Sequence, residues 1–195
     1  MSDSLSPPRV RVMEAKNKRT LLLIGAVAVA PIVASYAAYY LVSRDTQANY
    51  GELLPIRLAP PLAGKRLDGT PFELASFRGK WVLVTAAAAA CNAECGQALY
   101  ATRQARAIQG RARERLQRVW LVTDAGIPET AVLALHPDLA VAHVPMTAVA
   151  ALPGGVDRIH LVDPLGNLVL SYAREPDIKA VARDLQRLLR ASRIG

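Results

Sequence analysis

An uncharged, mostly apolar run of 22 residues extends from Leu21 to Val42 near the amino terminus. As an α-helix rising about 1.5 Å per residue, this run is about 33 Å long, enough to cross a hydrocarbon core of roughly 30 Å. Pro31 lies in the middle, where bilayer helices tolerate proline, and three tyrosines lie near the far end, where their rings favour the interface. We therefore predict one transmembrane helix over residues 20–43.

The charges that flank the run predict its orientation. Residues 1–19 contain five basic side chains, whereas Arg44 is the only one in the dozen residues beyond the run. Because the basic side remains in the cytoplasm, residues 1–19 are predicted to be a cytoplasmic tail. The carboxyl-terminal part is then periplasmic or otherwise extracytoplasmic, attached to the inner membrane by a single span. A signal peptide cleaved near Ala37 is the alternative, and the length of the apolar run argues against it.

The formal net charge of +8 does not indicate a nucleic-acid partner, since part of it belongs to the tail. A basic stretch without interleaved aromatic residues lies in the second half of the chain. We interpret this stretch as a solvated helix face, with a docking surface for anionic lipid headgroups or an acidic partner as the alternative. Its members are Arg103, Arg106, Arg111, Arg113, Arg115 and Arg118.

The remaining pattern predicts a linker over residues 44–60 and one α/β domain over residues 61–195. Asp68-Gly69 marks a hairpin, and residues 136–155 read as irregular. Strands alternate with helices before a final hairpin, an order typical of a mixed sheet flanked by helices. The predicted strands are Trp81–Thr85, Arg118–Thr123, Arg158–Val162 and Leu168–Tyr172, and the predicted helices are Cys91–Leu116, Pro128–Leu135 and Pro176–Leu189.

The chain has two cysteines, Cys91 and Cys95, at the start of the first predicted helix of the domain. A helix start carries unpaired N–H groups and a partial positive charge, which favour a thiolate at Cys91. Four residues apart on a helix, the two sulfurs lie on one face and can form a disulfide or bind a soft ion such as Cu(I). Glu94 opposes the thiolate. A buried or merely structural pair is the alternative.

Three further residues are candidate copper ligands. His143 and Met146 lie in one short segment and offer an imidazole and a thioether, and His160 lies within a predicted strand. A histidine on an apolar strand is more often a packed core residue than a ligand. We expect His136 to be a surface loop residue. Asp124 and Asp163 lie at the ends of predicted strands, close to glycine or proline. Aspartate in such positions most often forms turns, so we interpret both as turn formers.

Several motifs together resemble the thioredoxin-like superfamily. They are the run F-x-G-K-x-V-L-V at residues 77–84, the two cysteines at a helix start, and D-P-x-G at residues 163–166. Three residues between the cysteines, a membrane anchor and LVTDAGIPETAV at residues 121–132 are similar to the Sco (SenC) family. That resemblance implies copper delivery and thiol redox work in cytochrome c oxidase assembly, with Cys91 and Cys95 as the working residues. It also implies an oxidase subunit or another assembly factor as the partner.

The chain departs from the Sco pattern at three places. Gly96 stands where proline usually follows the second cysteine, and five alanines replace an aromatic-rich approach to the first. Counted back from Asp163, the family's copper-binding histidine corresponds to Gly155. His160 is five residues later, and an odd displacement along a strand reverses the face on which a side chain emerges. Two alternatives therefore stay beside the Sco-like hypothesis: a degenerate, non-redox accessory protein, and a general thiol–disulfide oxidoreductase.

Overall fold

The computed structural model describes residues 16–41 and 49–192, which divide into two separate units. The first is a single helix, α1 (Lys16–Leu41), with Pro31 inside it. Residues Arg19–Ala37 of this helix have a mean hydropathy of 2.1, and in the described part of the chain it is the one helix long and apolar enough to cross a membrane. Residues 1–15 of the predicted tail (1–19) and residues 44–48 of the predicted linker lie outside the described residues.

The second unit is an α/β domain of eight strands and four helices within residues 49–192. The strands are β1 (Glu52–Leu58), β2 (Ala63–Arg66), β3 (Pro71–Glu73), β4 (Trp81–Ala87), β5 (Leu116–Val122), β6 (Leu139–His143), β7 (Arg158–Val162) and β8 (Asn167–Ala173). The helices are α2 (Ala93–Ala107), α3 (Thr130–Ala134), α4 (Met146–Val149) and α5 (Ile178–Ala191). Three short 3-10 turns cover Leu74–Phe77, Gly110–Arg115 and Gly155–Asp157.

All eight strands form one mixed sheet in the order β1-β8-β7-β4-β5-β6-β2-β3. Strands β4, β5 and β6 are parallel to one another, and the remaining pairs are antiparallel. This arrangement confirms the predicted mixed sheet flanked by helices. Every residue of β4 is buried, as expected for a central strand covered on both faces.

Alternation along the central strands separates two apolar layers. Val82 and Val84 of β4 pack with Val119 and Leu121 of β5 on one face of the sheet. Leu83 faces the other way and packs with residues of α2 and α5. Because side chains alternate between faces along a strand, these two layers define which face each functional residue occupies. We call the second layer the helix face.

Three predicted boundaries differ from the observed elements. Strand β1 lies inside the stretch assigned to the linker, and β6 lies inside the stretch expected to be irregular. Helix α2 ends at Ala107 rather than near Leu116, and the chain then adopts a left-handed backbone at Gly110, with φ of 58°. Glycine accepts that conformation without steric cost, so the helix stops there despite a favourable sequence.

Candidate functional site

The carboxyl ends of β4, β5 and β6 meet at one edge of the sheet because the three strands are parallel and adjacent. Three loops therefore begin side by side, after Ala87, Val122 and His143. The first of these loops leads to Cys91 and then to α2. This edge, which we call the carboxyl edge, brings together the two cysteines, Asp124 and His143.

Cys91 and Cys95 form a disulfide, with their Cα atoms 5.1 Å apart. Cys95 is fully buried among apolar residues that include Leu99 and Trp120, whereas Cys91 is only partly buried. The prediction that both cysteines lie inside the helix is wrong, because α2 begins at Ala93 with Asn92 as its N-cap. The Asn92 side chain accepts a hydrogen bond from the Cys95 N–H at 3.0 Å, so the helix start holds the buried cysteine in place.

Cys91 has an unusual backbone conformation. Its φ is 41°, the one positive value among the described non-glycine residues. The left-handed region costs an L-residue about 1–2 kcal/mol, so neighbouring bonds must hold it. The Cys91 N–H donates to the Ala88 carbonyl at 3.1 Å, and the Ala89 N–H donates to Asp124 Oδ1 at 3.0 Å. The disulfide to Cys95 also restrains this segment, because it links Cys91 to the first turn of α2.

The loop after β5 supports the cysteine loop by close contact. Asp124 Oδ1 also accepts the Gly126 N–H at 3.2 Å, which is the turn-forming role expected from the sequence. A Cβ on Gly126 would lie only 2.8 Å from the Cβ of Ala89, so this position excludes any side chain unless the cysteine loop moves. Sequence reasoning missed the contact between Asp124 and Ala89. The signal that points to it is the placement of Asp124 directly after a parallel strand adjacent to β4.

Charged side chains surround the start of α2. Glu94 lies 3.9 Å from Arg174, and Arg174 lies 4.0 Å from Asp157 of the 3-10 turn before β7. The Arg174 side chain is mostly buried, with 16% of its surface exposed. Its positive charge partly neutralises the negative charge of Glu94, the carboxylate expected to disfavour a thiolate at Cys91. The net field at the disulfide therefore includes both the helix start and this ion pair.

His160 lies on the opposite face of the sheet from Cys95. It pairs directly with Val84, whose side chain belongs to the layer away from the helix face. His160 is buried, and its Nε2 lies 2.8 Å from the Pro153 carbonyl oxygen. Burial lowers the pKa of His160 below its ordinary 6.5, while the hydrogen bond to Pro153 acts in the other direction. The residue therefore has the surroundings of a packed core histidine.

The other two candidate copper ligands are not assembled with the cysteines. His143 Nδ1 lies 3.0 Å from the Asp124 carbonyl oxygen, and Met146 is exposed at the start of α4. Over residues 16–41 and 49–192, no three histidine, cysteine, aspartate or glutamate side chains cluster as a metal site. With both sulfurs in a disulfide and His160 across the sheet, the donor set present does not fit a three-ligand copper centre.

Arg118 and His136 are buried, which corrects two expectations. Arg118 is fully buried on the helix face, where it donates to the Leu99 carbonyl at 2.7 Å and pairs with Asp138 at 3.2 Å. Burial lowers its pKa to about 10, although Asp138 opposes the shift, so the guanidinium stays charged at neutral pH. His136, expected on the surface, lies 3.5 Å from Arg118. Burial and then Arg118 lower the pKa of His136.

An apolar groove of about 350 Å³ lies away from the cysteines. It opens at the opposite edge of the sheet, where β4 begins and β7 ends. Its walls include Leu58, Pro60, Leu74, Phe77 and Val162, with neither cysteine among them. The disulfide therefore lies outside this groove.

Comparison with known proteins identifies the fold. The model of the family described as "Transmembrane-like, thioredoxin-like, C-terminal domain" matches residues 81–192. Among curated proteins, no sequence matches this chain. Similar solved structures include Sco1 of yeast with copper bound, apo Sco1 of Thermus thermophilus, and the thioredoxin domain of a thiol-disulfide oxidoreductase from Bacteroides vulgatus.

These structures share the fold at low sequence identity. Yeast Sco1 has a TM-score of 0.60 at 18% identity, over 69% of this chain and 94% of that one. The Thermus protein has a TM-score of 0.56 at 22% identity, over 75% and 98%. The Bacteroides domain has a TM-score of 0.51 at 19% identity, over 70% and 99%. The domain therefore has the predicted thioredoxin-like fold.

Proposed function

Since the chain belongs to the transmembrane-like, thioredoxin-like, C-terminal domain family, we propose that it is a membrane-anchored, Sco-like protein that exchanges disulfides with a client through Cys91 and Cys95. The working domain is exported, and the span over residues 20–43 keeps it at the inner membrane with residues 1–19 in the cytoplasm. The client is a cytochrome c oxidase subunit or another assembly factor.

The unequal burial of the two sulfur-bearing residues is the observation that carries this proposal. Cys91 is partly exposed on the loop before α2, whereas Cys95 is sealed beneath it. A bulky client sulfur can therefore reach Cys91 first, and Cys95 can only act intramolecularly. That asymmetry is what a two-step exchange requires, because one cysteine attacks or is attacked and the other resolves the mixed disulfide.

The exchange is a balanced two-electron transfer. A client thiolate attacks Cys91 Sγ, the Cys91–Cys95 bond breaks, and Cys95 leaves as a thiolate stabilised by the positive end of α2. A second client thiolate then attacks the client sulfur bound to Cys91, which releases the Cys91 thiolate and oxidises the client. The reverse sequence reduces a client disulfide and regenerates the Cys91–Cys95 bond.

The test uses the full chain, purified in detergent, and follows the pair by thiol labelling in dithiothreitol redox buffers. We expect one two-electron transition that disappears in Cys91→Ser and Cys95→Ser. The Cys95→Ser variant leaves Cys91 free with no resolving partner, so we also expect it to accumulate mixed disulfides with its client in membranes. Cys91→Ser is the matched control and accumulates none.

A pair that stays oxidised, or that no client thiol attacks, contradicts the exchange mechanism. The non-redox accessory hypothesis would then account for the protein. A pair that exchanges indiscriminately with unrelated dithiols and traps no membrane client favours the general oxidoreductase hypothesis.

Copper as a cargo is the second candidate, favoured by the similarity to Sco1 structures solved with copper bound. Reduced Cys91 and Cys95 supply two soft thiolates, the donors that Cu(I) prefers. Titration of the reduced chain with Cu(I), against a chelator of known affinity, tests this role. Stoichiometric binding that Cys91→Ser abolishes supports copper delivery, and absence of binding by the unaltered chain removes it.

A further inference from the structure

The outer side of α5 carries only positive charge. Lys179, Arg183, Arg187 and Arg190 are exposed at spacings of four, four and three residues, which place them along one side of the helix. The single carboxylate in α5 belongs to Asp184, which is buried and hydrogen-bonded to backbone N–H groups. No exposed acid therefore neutralises this row within Ile178–Ala191.

The 3-10 turn Gly110–Arg115 extends the same surface. Arg115 donates to the carbonyl oxygens of Leu189 and Ser192, at 2.7 and 2.8 Å, and so fastens the turn to the carboxyl end of α5. Arg111 and Arg113 of this turn are exposed, with Glu114 as the exposed acid beside them. We call the six cations the basic face: Lys179, Arg183, Arg187, Arg190, Arg111 and Arg113.

Ion pairs do not neutralise the cations of the basic face. The ion pairs found among residues 49–192 involve Arg106, Arg118, Arg158 and Arg174, and none involves a member of this set. Six solvated cations leave a positive surface, because the exposed carboxylates beside them are two, Glu114 in the turn and Asp177 at the N-cap of α5. Such a surface attracts an anionic partner over about a Debye length.

The chain arriving from the transmembrane helix joins the domain on α5 itself. The backbone N–H groups of Tyr50 and Gly51 donate to the two carboxylate oxygens of Asp184, at 3.0 and 2.8 Å. The Tyr50 hydroxyl accepts the Asp177 N–H at 3.0 Å, at the N-cap of the same helix. The element that carries most of the basic face is therefore also the element to which the tether is fixed.

The tether is short. Ten residues, 42–51, separate Leu41 at the end of α1 from Glu52 at the start of β1. Ten residues reach at most about 35 Å when fully extended. If α1 crosses a membrane, the tether keeps the lipid headgroups at a high effective concentration around the domain. Contacts between the domain and these headgroups are then stronger than they would be between separate molecules.

From these observations we propose that the basic face binds the anionic phospholipid headgroups of the membrane in which α1 is anchored. The cations form an even row along one side of a helix, which suits a diffuse anionic surface. Neither Ile178–Ala191 nor Gly110–Arg115 contains an aromatic residue on which nucleic-acid bases could stack. Cys91 is not part of it, so docking leaves the disulfide open to a client. The proposal depends on membrane attachment and not on the chemistry of the cysteines.

The experiment reconstitutes the full chain in nanodiscs of phosphatidylcholine alone, or of phosphatidylcholine with 30% phosphatidylglycerol (about one lipid in three, to give a clear surface potential). A dicarbonyl reagent then modifies arginines, and mass spectrometry gives a rate for each site. We expect modification at the five arginines of the basic face, Arg111 and Arg113 included, to slow by about fivefold or more in the anionic discs. Arg57 and Arg78, exposed outside the basic face, are internal controls and keep their rates.

Salt and a charge-reversed variant sharpen the result. Protection is expected to disappear in about 1 M salt, where the Debye length falls to about 3 Å. In R187E/R190E we expect Arg111 and Arg113 to lose their protection, whereas R57E/R78E, which removes the same charge elsewhere, preserves it. Even if the variant misfolds, the unaltered chain still tests lipid binding by the basic face, because Arg57 and Arg78 serve as controls within the same molecule.

Equal rates in the two kinds of disc overturn the proposal, as does slowing that is the same at Arg57 and Arg78. Protection in native membranes without protection in anionic discs assigns the face to an acidic protein and also overturns it. Cys91→Ser is expected to keep full protection. Loss of disulfide exchange and loss of lipid docking are therefore separate outcomes.

Discussion

Helix α2 contacts the sheet in two regions with opposite properties. At its start, the segment that carries Cys91 is partly exposed, adopts a left-handed backbone and is supported by the exposed carboxylate of Asp124. At its middle, the Leu99 carbonyl and the Thr102 hydroxyl accept hydrogen bonds from Arg118, a fully buried cation. One element thus joins a partly exposed end to a buried, densely bonded middle.

The difference indicates how the domain combines chemistry with stability. The exchange proposed above requires that the Cys91–Cys95 bond can open without loss of the fold, and the partly exposed start of α2 suits that requirement. A buried charge is costly unless every partner is present, so the Arg118 region is sensitive to any loss. We therefore expect mutations in the middle of α2 to alter stability, and mutations at its start to alter exchange.

Arg118→Ala should have the largest effect on stability. It removes the buried donor to the Leu99 carbonyl and the Thr102 hydroxyl and leaves a cavity on the helix face, while Asp138 keeps its bond to Arg106. Truncation of a large buried side chain costs about 2–5 kcal/mol of unfolding free energy. Chemical denaturation of the full chain, followed by circular dichroism, measures it. Arg106→Ala is the matched control, because Arg106 also binds Asp138 but is partly exposed, and we expect a smaller loss. Equal losses would contradict the distinction.

Removal of the disulfide should have a large effect on exchange and a small effect on stability. Cys91→Ser should abolish exchange while lowering the unfolding free energy by about 2 kcal/mol or less, because the bridge closes a very short loop. The same denaturation experiment, beside the redox titration, provides both values. A loss as large as that of Arg118→Ala would show that the bridge is mainly structural.

Asp124→Ala tests the support of the cysteine loop. The Ala89 and Gly126 N–H groups lose their acceptor, at a cost of about 1–2 kcal/mol. We expect the exchange rate at Cys91 to change as well, because the loop is no longer held against the β5 end. Asp124→Asn keeps an oxygen acceptor and is the control. If both variants exchange at the normal rate, Asp124 has only a turn-forming role.

A pH effect should be the smallest of the four and should act on the buried region. The pKa values of His136 and His160 are lowered in the folded state, first of all by burial. Below their ordinary 6.5 the unfolded chain therefore binds protons that the folded protein does not. The free energy of unfolding therefore has its full value above pH 6.5 and decreases as the pH falls below it. Between pH 7.5 and 6.0 the decrease is less than about 1 kcal/mol for each histidine. His160→Gln should flatten the curve.

Local patterns predicted much of the fold because their physical causes are local. The apolar run gave α1, the buried β-rich runs gave β4, β5, β7 and β8, and turn residues gave the β2–β3 hairpin. The motifs predict the thioredoxin-like fold without any knowledge of the strand order. The edge strand β1 and the short β6 were missed, since each depends on a partner strand that is distant in the sequence.

The sequence by itself determined that two cysteines stand near a helix start in a domain preceded by an apolar helix. Only the tertiary structure decided which cysteine is accessible, that His160 lies across the sheet from Cys95, and that Arg118 is buried instead of solvated. The physical reason is that spacing along a chain fixes which residues are near neighbours, whereas face, burial and pairing follow from the register of strands brought together from far apart.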